Sequence, residues 1–203
     1  MSQAIFNKEY FKNIQNYNGF LHDICTLPSG YSFEPSYYDV TGIYNLITIK
    51  NVNGVFVDNS RVDKLNKIPQ KMKQYCKLNI GDILLSLTGN VGRISINTLE
   101  NSLLNQRVSK FICEEKYKFY LYLLLNTGYY QEKMRRMASG TSQKNLSPID
   151  LENLPIFIPK NIDSFYNRTN NILTQLCNIN IFTTQLVCLK EKLLPLLING
   201  QLQ

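Results

Sequence analysis

Short apolar runs separated by turn residues fill the first half of the chain, and they predict strands. The runs occupy residues 44–49, 54–57, 83–87 and 91–96. Glycine, proline, asparagine and aspartate bound them, which favours a twisted, mainly antiparallel sheet between residues 24 and 96. Before this region, four side chains follow helical spacing: Phe6, Tyr10, Phe11 and Ile14. Residues 1–20 are therefore expected to form a short helical or irregular lead-in.

Helical spacing of apolar residues begins near residue 116. Four elements are predicted before residue 160: helices at 118–126 and 129–137, a short helix after Ser147, and a strand at 154–159. Gly128 separates the first two helices. Ser147 is a suitable N-cap and Pro148 a suitable first helical residue, so the short helix is expected to begin there.

One long helix is predicted from residue 161 onward. Its residues alternate at spacings of three and four, as in the seam of a coiled coil. The candidate dimerisation residues are Ile162, Phe165, Thr169, Ile172, Leu176, Ile179, Leu186 and Leu193. We interpret the helix as an arm that packs against a helix of a second copy or of a partner. The alternative is a helix that folds back on its own sheet.

The charge of the chain is uneven. Its 22 basic residues outnumber its 15 acidic ones, for a net charge of +7. Between residues 103 and 145, eight basic residues accompany three acidic ones, so this segment alone carries +5. A local basic excess favours a polyanionic partner such as nucleic acid. A solvated face of mixed charge explains the same excess equally well.

Cysteine and histidine usage argues against a metal site. The five cysteines are widely spaced without a CxxC pair, and His22 is the only histidine. We expect reduced thiols in a cytoplasmic protein. The sequence has no unbroken run of 18 apolar residues and no apolar segment near its start, so neither a membrane span nor a signal peptide is expected. It also lacks a GxxxxGK[ST] phosphate loop and an evident nucleophile, so no catalytic residue is assigned.

Several motifs, in order along residues 20–200, resemble the specificity subunit of type I restriction-modification systems. They are LHDI at 21–24, PSG at 28–30, LITIKNV at 46–52, GDILLS at 81–86, TGNVGR at 88–93, LNQRV at 104–108, GTSQKNLS at 140–147, LPI at 154–156 and LLPLL at 193–197. His22 stands where the family usually has glycine. Any one motif alone would be weak, but their agreement in order is specific.

The resemblance implies a mixed α/β target-recognition domain, with a mainly antiparallel twisted sheet and helices, followed by one long C-terminal helix of coiled-coil type. We place the domain at residues 1–159 and the helix at 160–203. Specificity subunits usually carry two such repeats, whose helices pack antiparallel and set the distance between two DNA half-sites. This chain resembles one repeat, which implies pairing with a second copy or with another half subunit.

The implied function is sequence-specific recognition of double-stranded DNA, without catalysis. The implied protein partners are a methyltransferase subunit and a restriction or translocase subunit. S-adenosylmethionine would bind the methyltransferase, so no cofactor is expected on this chain. Two alternatives stay open. One is a truncated or silent fragment that acts only through helix pairing. The other is a self-contained DNA methyltransferase, for which the [DNS]PP[YFW] box and a glycine-rich cofactor loop are missing.

The candidate DNA contacts come from the variable stretch 51–77 and from three motif loops. They are Lys50, Asn51, Arg61, Lys71, Lys73, Thr88, Asn90, Arg93, Asn105, Gln106, Arg107, Lys110, Ser139, Thr141, Ser142, Gln143 and Lys144. Asparagine, glutamine and arginine suit base edges. However, residues in shared motifs are expected to hold phosphates or the scaffold, so we assign base reading to the variable stretch.

Each motif loop also has a plainer interpretation. The 88–92 turn is expected to offer backbone amides to a phosphate, beside Arg93, or else to be an ordinary hairpin turn. Asn105 and Gln106 would alternatively hydrogen-bond within a buried turn. The 139–145 loop lies before a helix and is expected to clamp a phosphate, or else only to connect two elements.

Overall fold

The computed structural model describes residues 2–140 and 144–199, and it confirms a mixed α/β fold with a long C-terminal helix. The α-helices are α1 Ser2–Glu9, α2 Glu115–Leu125, α3 Gly128–Met137, α4 Pro148–Glu152 and α5 Ile162–Ile198. The strands are β1 Gly19–Phe20, β2 Cys25–Thr26, β3 Tyr44–Ile47, β4 Asp63–Leu65, β5 Lys77–Leu78, β6 Ile83–Ser86, β7 Ile94–Ile96, β8 Ser102–Leu104, β9 Val108–Lys110, β10 Ile112–Cys113 and β11 Pro155–Ile156.

The strands form four small sheets instead of the single sheet expected from the sequence. A four-stranded sheet has the order β4-β3-β8-β5, and a three-stranded sheet has the order β7-β6-β9. β1 pairs with β11 and β2 with β10, so each of these pairs forms a two-stranded ribbon. All pairings are antiparallel except that of β3 with β8. The predicted strand at 54–57 is reduced to an isolated bridge between Phe56 and Ile96.

The lead-in is helical, as predicted, and it seals one side of the main core. Phe6, Tyr10 and Ile14 are buried, whereas Phe11 is 51% exposed. The Tyr10 ring meets the rings of Tyr120 and Phe165 edge-on, each with centroids 5.4 Å apart. The lead-in therefore joins α2 and α5 in one aromatic cluster, in the edge-to-face geometry that aromatic pairs favour.

The first half of α5 belongs to this core. Its buried residues recur every three or four positions: Ile162, Phe165, Thr169, Leu173 and Cys177. They pack against α2 and the aromatic cluster because this apolar stripe matches the helical repeat. The assignment of Ile162, Phe165 and Thr169 to dimerisation is therefore wrong, since their own domain covers them. Ile172 and Leu176 also pack partly against this core.

The second half of α5 leaves the domain. Ile179, Phe182 and Leu186 are 62%, 63% and 65% exposed, and apolar exposure continues to Ile198. The whole helix has 37 residues and so measures roughly 55 Å. It runs through Pro195. By length and composition alone it would also qualify as a membrane-crossing helix, with a mean hydropathy of 1.4 over its most apolar 18 residues.

Candidate nucleic-acid interface

The loop between β6 and β7 is a tight turn closed by its own hydrogen bonds. The Ser86 hydroxyl donates to the carbonyl of Asn90 at 2.6 Å and accepts from the Arg93 amide at 3.1 Å. The Gly92 amide donates to the carbonyl of Ser86. Gly92 has φ +78°, and a Cβ there would lie 3.3 Å from the Cβ of Met134, so glycine is required. The Gly92 amide, one of those that the 88–92 turn was expected to offer to a phosphate, therefore donates within the turn instead.

The polar side chains of this turn remain at least partly on the surface. Asn90 and Arg93 are exposed, and Thr88 is half-buried. The Arg93 guanidinium donates to the Asn53 carboxamide oxygen at 2.9 Å. This bond joins the turn to the start of the variable stretch.

The loop that follows α3 lies against the same turn. Ser139 and Asn145 exchange two backbone hydrogen bonds, of 3.0 and 2.7 Å. The Gly89 amide donates to the Lys144 carbonyl at 3.0 Å, and the Thr88 hydroxyl donates to the Asn145 side chain at 3.2 Å. The side chains of Ser139 and Lys144 are therefore held at the surface beside Thr88. The candidate contacts Thr141, Ser142 and Gln143 lie outside the described residues.

The turn between β8 and β9 carries three polar residues, Asn105, Gln106 and Arg107, which have different roles. The Asn105 carboxamide oxygen accepts from the Arg107 amide at 3.2 Å, and the Asn105 side chain is buried. The backbone of this turn also bonds to Ile47 and Tyr31. Gln106 and Arg107 are exposed. The assignment of Asn105 as a DNA contact is therefore corrected: it closes the turn, as the alternative interpretation held.

The three loops meet around one open groove of about 510 Å³. It is lined by Ser29, Leu87, Thr88, Gln106, Arg107, Asn145, Leu146 and Pro148. The Leu87 amide bonds to the Arg107 carbonyl and the Leu146 amide to the Leu87 carbonyl, so β6 holds the other two loops in place. Motifs that are far apart in sequence thus present amide, hydroxyl and guanidinium groups to one surface.

Two further candidate contacts have structural roles. Asn51 is 2% exposed, and its carboxamide accepts from Thr48 and donates to the carbonyls of Asp58 and Arg61. Lys110 forms an ion pair with Asp82 at 2.6 Å, and their side chains are 12% and 8% exposed. The assignments of Asn51 and Lys110 as DNA contacts are therefore corrected, because hydrogen bonds and burial occupy both side chains.

The remaining basic candidates Lys50, Arg61, Lys71 and Lys73 are exposed. Lys50 adjoins Asn51, which binds the carbonyl of Arg61, and both basic side chains reach solvent. The Lys73 ammonium lies 6.0 Å from the centroid of the Tyr75 ring, and the Tyr75 hydroxyl donates to the carbonyl of Ser29 at the groove wall. Burial raises the pKa of the Tyr75 hydroxyl, so this residue stays neutral. A second open pocket, of about 470 Å³, is lined in part by Tyr37, Lys67 and Lys71.

Across residues 2–140 and 144–199, no three potential ligands among histidine, cysteine, aspartate and glutamate come together. The polar groups of the groove suit hydrogen bonding to phosphates and base edges.

A family model described as the type I restriction modification DNA specificity domain matches residues 14–186. The chain belongs to this family. The DNA specificity domains of this family are non-catalytic recognition domains. The resemblance inferred from the ordered motifs is thereby confirmed.

The chain is also similar to a specificity subunit and to two solved structures. It is 30% identical over 152 residues to the specificity subunit of type I restriction enzyme MjaVIII from Methanocaldococcus jannaschii, which covers 68% of this chain and 34% of that protein. The S subunit from M. genitalium aligns with TM-score 0.56 and 17% identity, covering 87% of this chain and 43% of that one. The HsdS subunit from Thermoanaerobacter tengcongensis aligns with TM-score 0.55 and 20% identity, covering 86% and 39%. The chain thus spans about a third to under half of the length of these relatives.

Sequence reasoning missed two residues of this DNA specificity domain, Ser29 and Tyr75. Ser29 lines the groove, and Tyr75 donates a hydrogen bond to its carbonyl. Asn145 and Asn53 belong to the loop and the stretch from which contacts were expected. Ser29 lies inside the PSG motif, so the motifs carried a usable signal. Tyr75 had none, because only the folded chain brings it to Ser29.

Proposed function

We propose that this DNA specificity domain recognises one half of a divided double-stranded DNA target and delivers a methyltransferase subunit to it. The groove formed by the three motif loops is the observation that carries this proposal. It places Gln106, Arg107 and the Thr88 hydroxyl on one open surface, with Lys144 held at its border. Phosphate contacts from such groups fix a protein on the duplex, independently of sequence.

In this proposal, base reading belongs to the variable stretch 51–77. Its basic residues Arg61, Lys71 and Lys73 are exposed. The stretch is tied to the groove loops by the bonds of Tyr75 to Ser29 and of Asn53 to Arg93. A duplex that lies along the groove would meet these side chains next. Exchanging residues 51–77 with those of a relative should change the DNA sequence that is bound. An unchanged target sequence would contradict the assignment of base reading to this stretch.

The second half of α5 would pair with the same helix of a second copy or of another half subunit. Its exposed stripe includes Ile179, Leu186 and the half-buried Leu193 from the predicted seam. A lipid bilayer fits this helix poorly. Its first half lies in the core of the domain, and Lys190, Glu191 and Lys192 follow, so too few free apolar residues remain for the roughly twenty that a span needs. We accordingly place the protein in the cytoplasm.

The test is to purify the chain with a type I methyltransferase subunit from its own genome and to map the methylated positions. We expect a divided target that disappears when the chain is omitted. A palindromic target would indicate two copies of this chain, and an asymmetric target would indicate a different half subunit. Methylation that is the same with and without the chain would contradict the proposed function.

A further inference from the structure

The middle of α5 has one polar attachment to the sheet region of its own domain. The Asn180 carboxamide nitrogen donates to the Thr98 hydroxyl at 2.8 Å. Thr98 is buried and Asn180 half-buried, so the bond is partly shielded from water. It lies at the point where the helix stops packing: Cys177 is 4% exposed, whereas Ile179 and Phe182 are more than 60% exposed.

The Thr98 side of this contact is rigid. Asn97 is fully buried, and its carboxamide donates to the carbonyls of Asn79 and Leu99 while accepting from the Leu99 amide. Its backbone also bonds to Gly81 and Asp82. Because Thr98 adjoins this network, its hydroxyl has a fixed position and can hold α5 in one orientation.

Beyond Asn180 the helix and the domain separate around an open cleft of about 280 Å³. Ile80, Leu99 and Glu100 line the domain side, and Ile181, Thr184 and Gln185 line the helix side. Because this gap is not filled by packed side chains, packing alone does not fix the direction of the arm there. A small change of angle at Asn180 would be magnified along residues 186–198.

We propose that the Asn180–Thr98 hydrogen bond sets the angle of the arm, and thereby the length of spacer DNA that the protein accepts between half-sites. The second part of this inference rests on the proposed function, whereas the first does not. The two residues are positioning residues: they touch no DNA and act through the direction of the helix.

The arm angle can be measured as a distance between two spin labels in the full chain. Cys188 is exposed on the arm, and Asp63→Cys supplies a second thiol on β4, in a Cys113→Ser background. Dilution with unlabelled protein removes distances between copies. We expect one narrow distance distribution for the otherwise wild-type chain. Thr98→Val, which removes only the hydroxyl, should broaden it, and Asn180→Ala should do the same from the other side.

Thr98→Ser is the matched control, because it keeps the hydroxyl and should keep the narrow distribution. If the distance distribution of Thr98→Val is as narrow as that of the parent chain, the Asn180–Thr98 hydrogen bond does not set the arm angle. On duplexes with two half-sites, Thr98→Val should reduce the preference for the best spacer over one base pair more or less by at least about threefold, with single half-site binding unchanged. A broadened arm with an unaltered spacer preference would overturn the link to spacing. If the wild-type chain does not bind a single half-site, the proposed function is contradicted. The distances between the spin labels would still show whether the Asn180–Thr98 bond sets the arm angle.

Discussion

The buried carboxamide of Asn105 accepts a hydrogen bond from the backbone amide of Arg107, while the Arg107 side chain faces solvent at the groove. Two neighbours in one motif thus have opposite roles. The asparagine fixes the turn, and the turn aims the arginine. The following variants separate these roles.

Asn105→Ala should lower the free energy of unfolding by about 1–3 kcal/mol, because the Arg107 amide loses its partner in a buried turn. Arg107→Ala should leave thermal stability almost unchanged and weaken DNA binding. Denaturant unfolding and fluorescence anisotropy with a duplex measure the two effects. Equal loss of stability in both variants would show that the side chain of Arg107 is structural.

Lys144→Ala should weaken binding to all DNA sequences about equally, since a phosphate contact carries no sequence information. It should also reduce the slope of log affinity against log salt by about one. Anisotropy titrations at several salt concentrations provide the measurement. Lys192→Ala, an exposed lysine on the arm, is the matched control and should leave the slope unchanged. A loss confined to one target sequence would instead make Lys144 a base-reading residue.

Leu186→Asp should abolish self-association through α5 and leave the domain folded, because this side chain is 65% exposed and contributes nothing to the core. Phe165→Ala is the contrasting variant. Its side chain is fully buried, so truncation should cost about 3–5 kcal/mol of stability. Analytical ultracentrifugation and thermal unfolding distinguish the two. If Leu186→Asp sediments like the wild type while the wild type is dimeric, the dimer contact lies elsewhere.

Cys113 should be alkylated at a lower pH than an ordinary thiol. Cys25 faces it across the β2–β10 pair, and the Cys25 thiol holds the pKa of Cys113 below the usual 9.0 despite the opposing effect of burial. A depressed pKa means that the reactive thiolate is already present below that pH and is lost only as the pH falls through the lower value. Iodoacetamide labelling across pH, read by peptide mass spectrometry, measures this.

Cys25→Ala removes the neighbouring thiol and should move the labelling midpoint of Cys113 upward. Cys25→Ser keeps a donor at the same place and should retain the low midpoint. If Cys25→Ala and Cys25→Ser give the same labelling midpoint of Cys113, a group other than residue 25 stabilises the thiolate. The ammonium of Lys118 is the next contributor to the lowered pKa.

Most of the elements and the family followed from the sequence because their signals are local. The helical period of α5, the cap of Ser147 before α4 and the ordered motifs can each be read within a few residues. The three motif loops were recognised for the same reason. Their convergence on one groove was not expected, because it depends on bonds such as that between Leu146 and Leu87, which are far apart in sequence.

The sequence by itself determined the alternation of apolar positions, the excess of basic residues and the order of the motifs. Only the tertiary structure decided which of these residues have side chains that are exposed and available to bind a partner. Asn51, Asn105 and Lys110 have the chemistry of DNA contacts, but partners from other segments occupy them. Likewise one continuous stripe on α5 is core at Phe165 and surface at Leu186. The physical reason is that polarity and periodicity are properties of a side chain and its near neighbours, whereas burial depends on what the rest of the chain places against it.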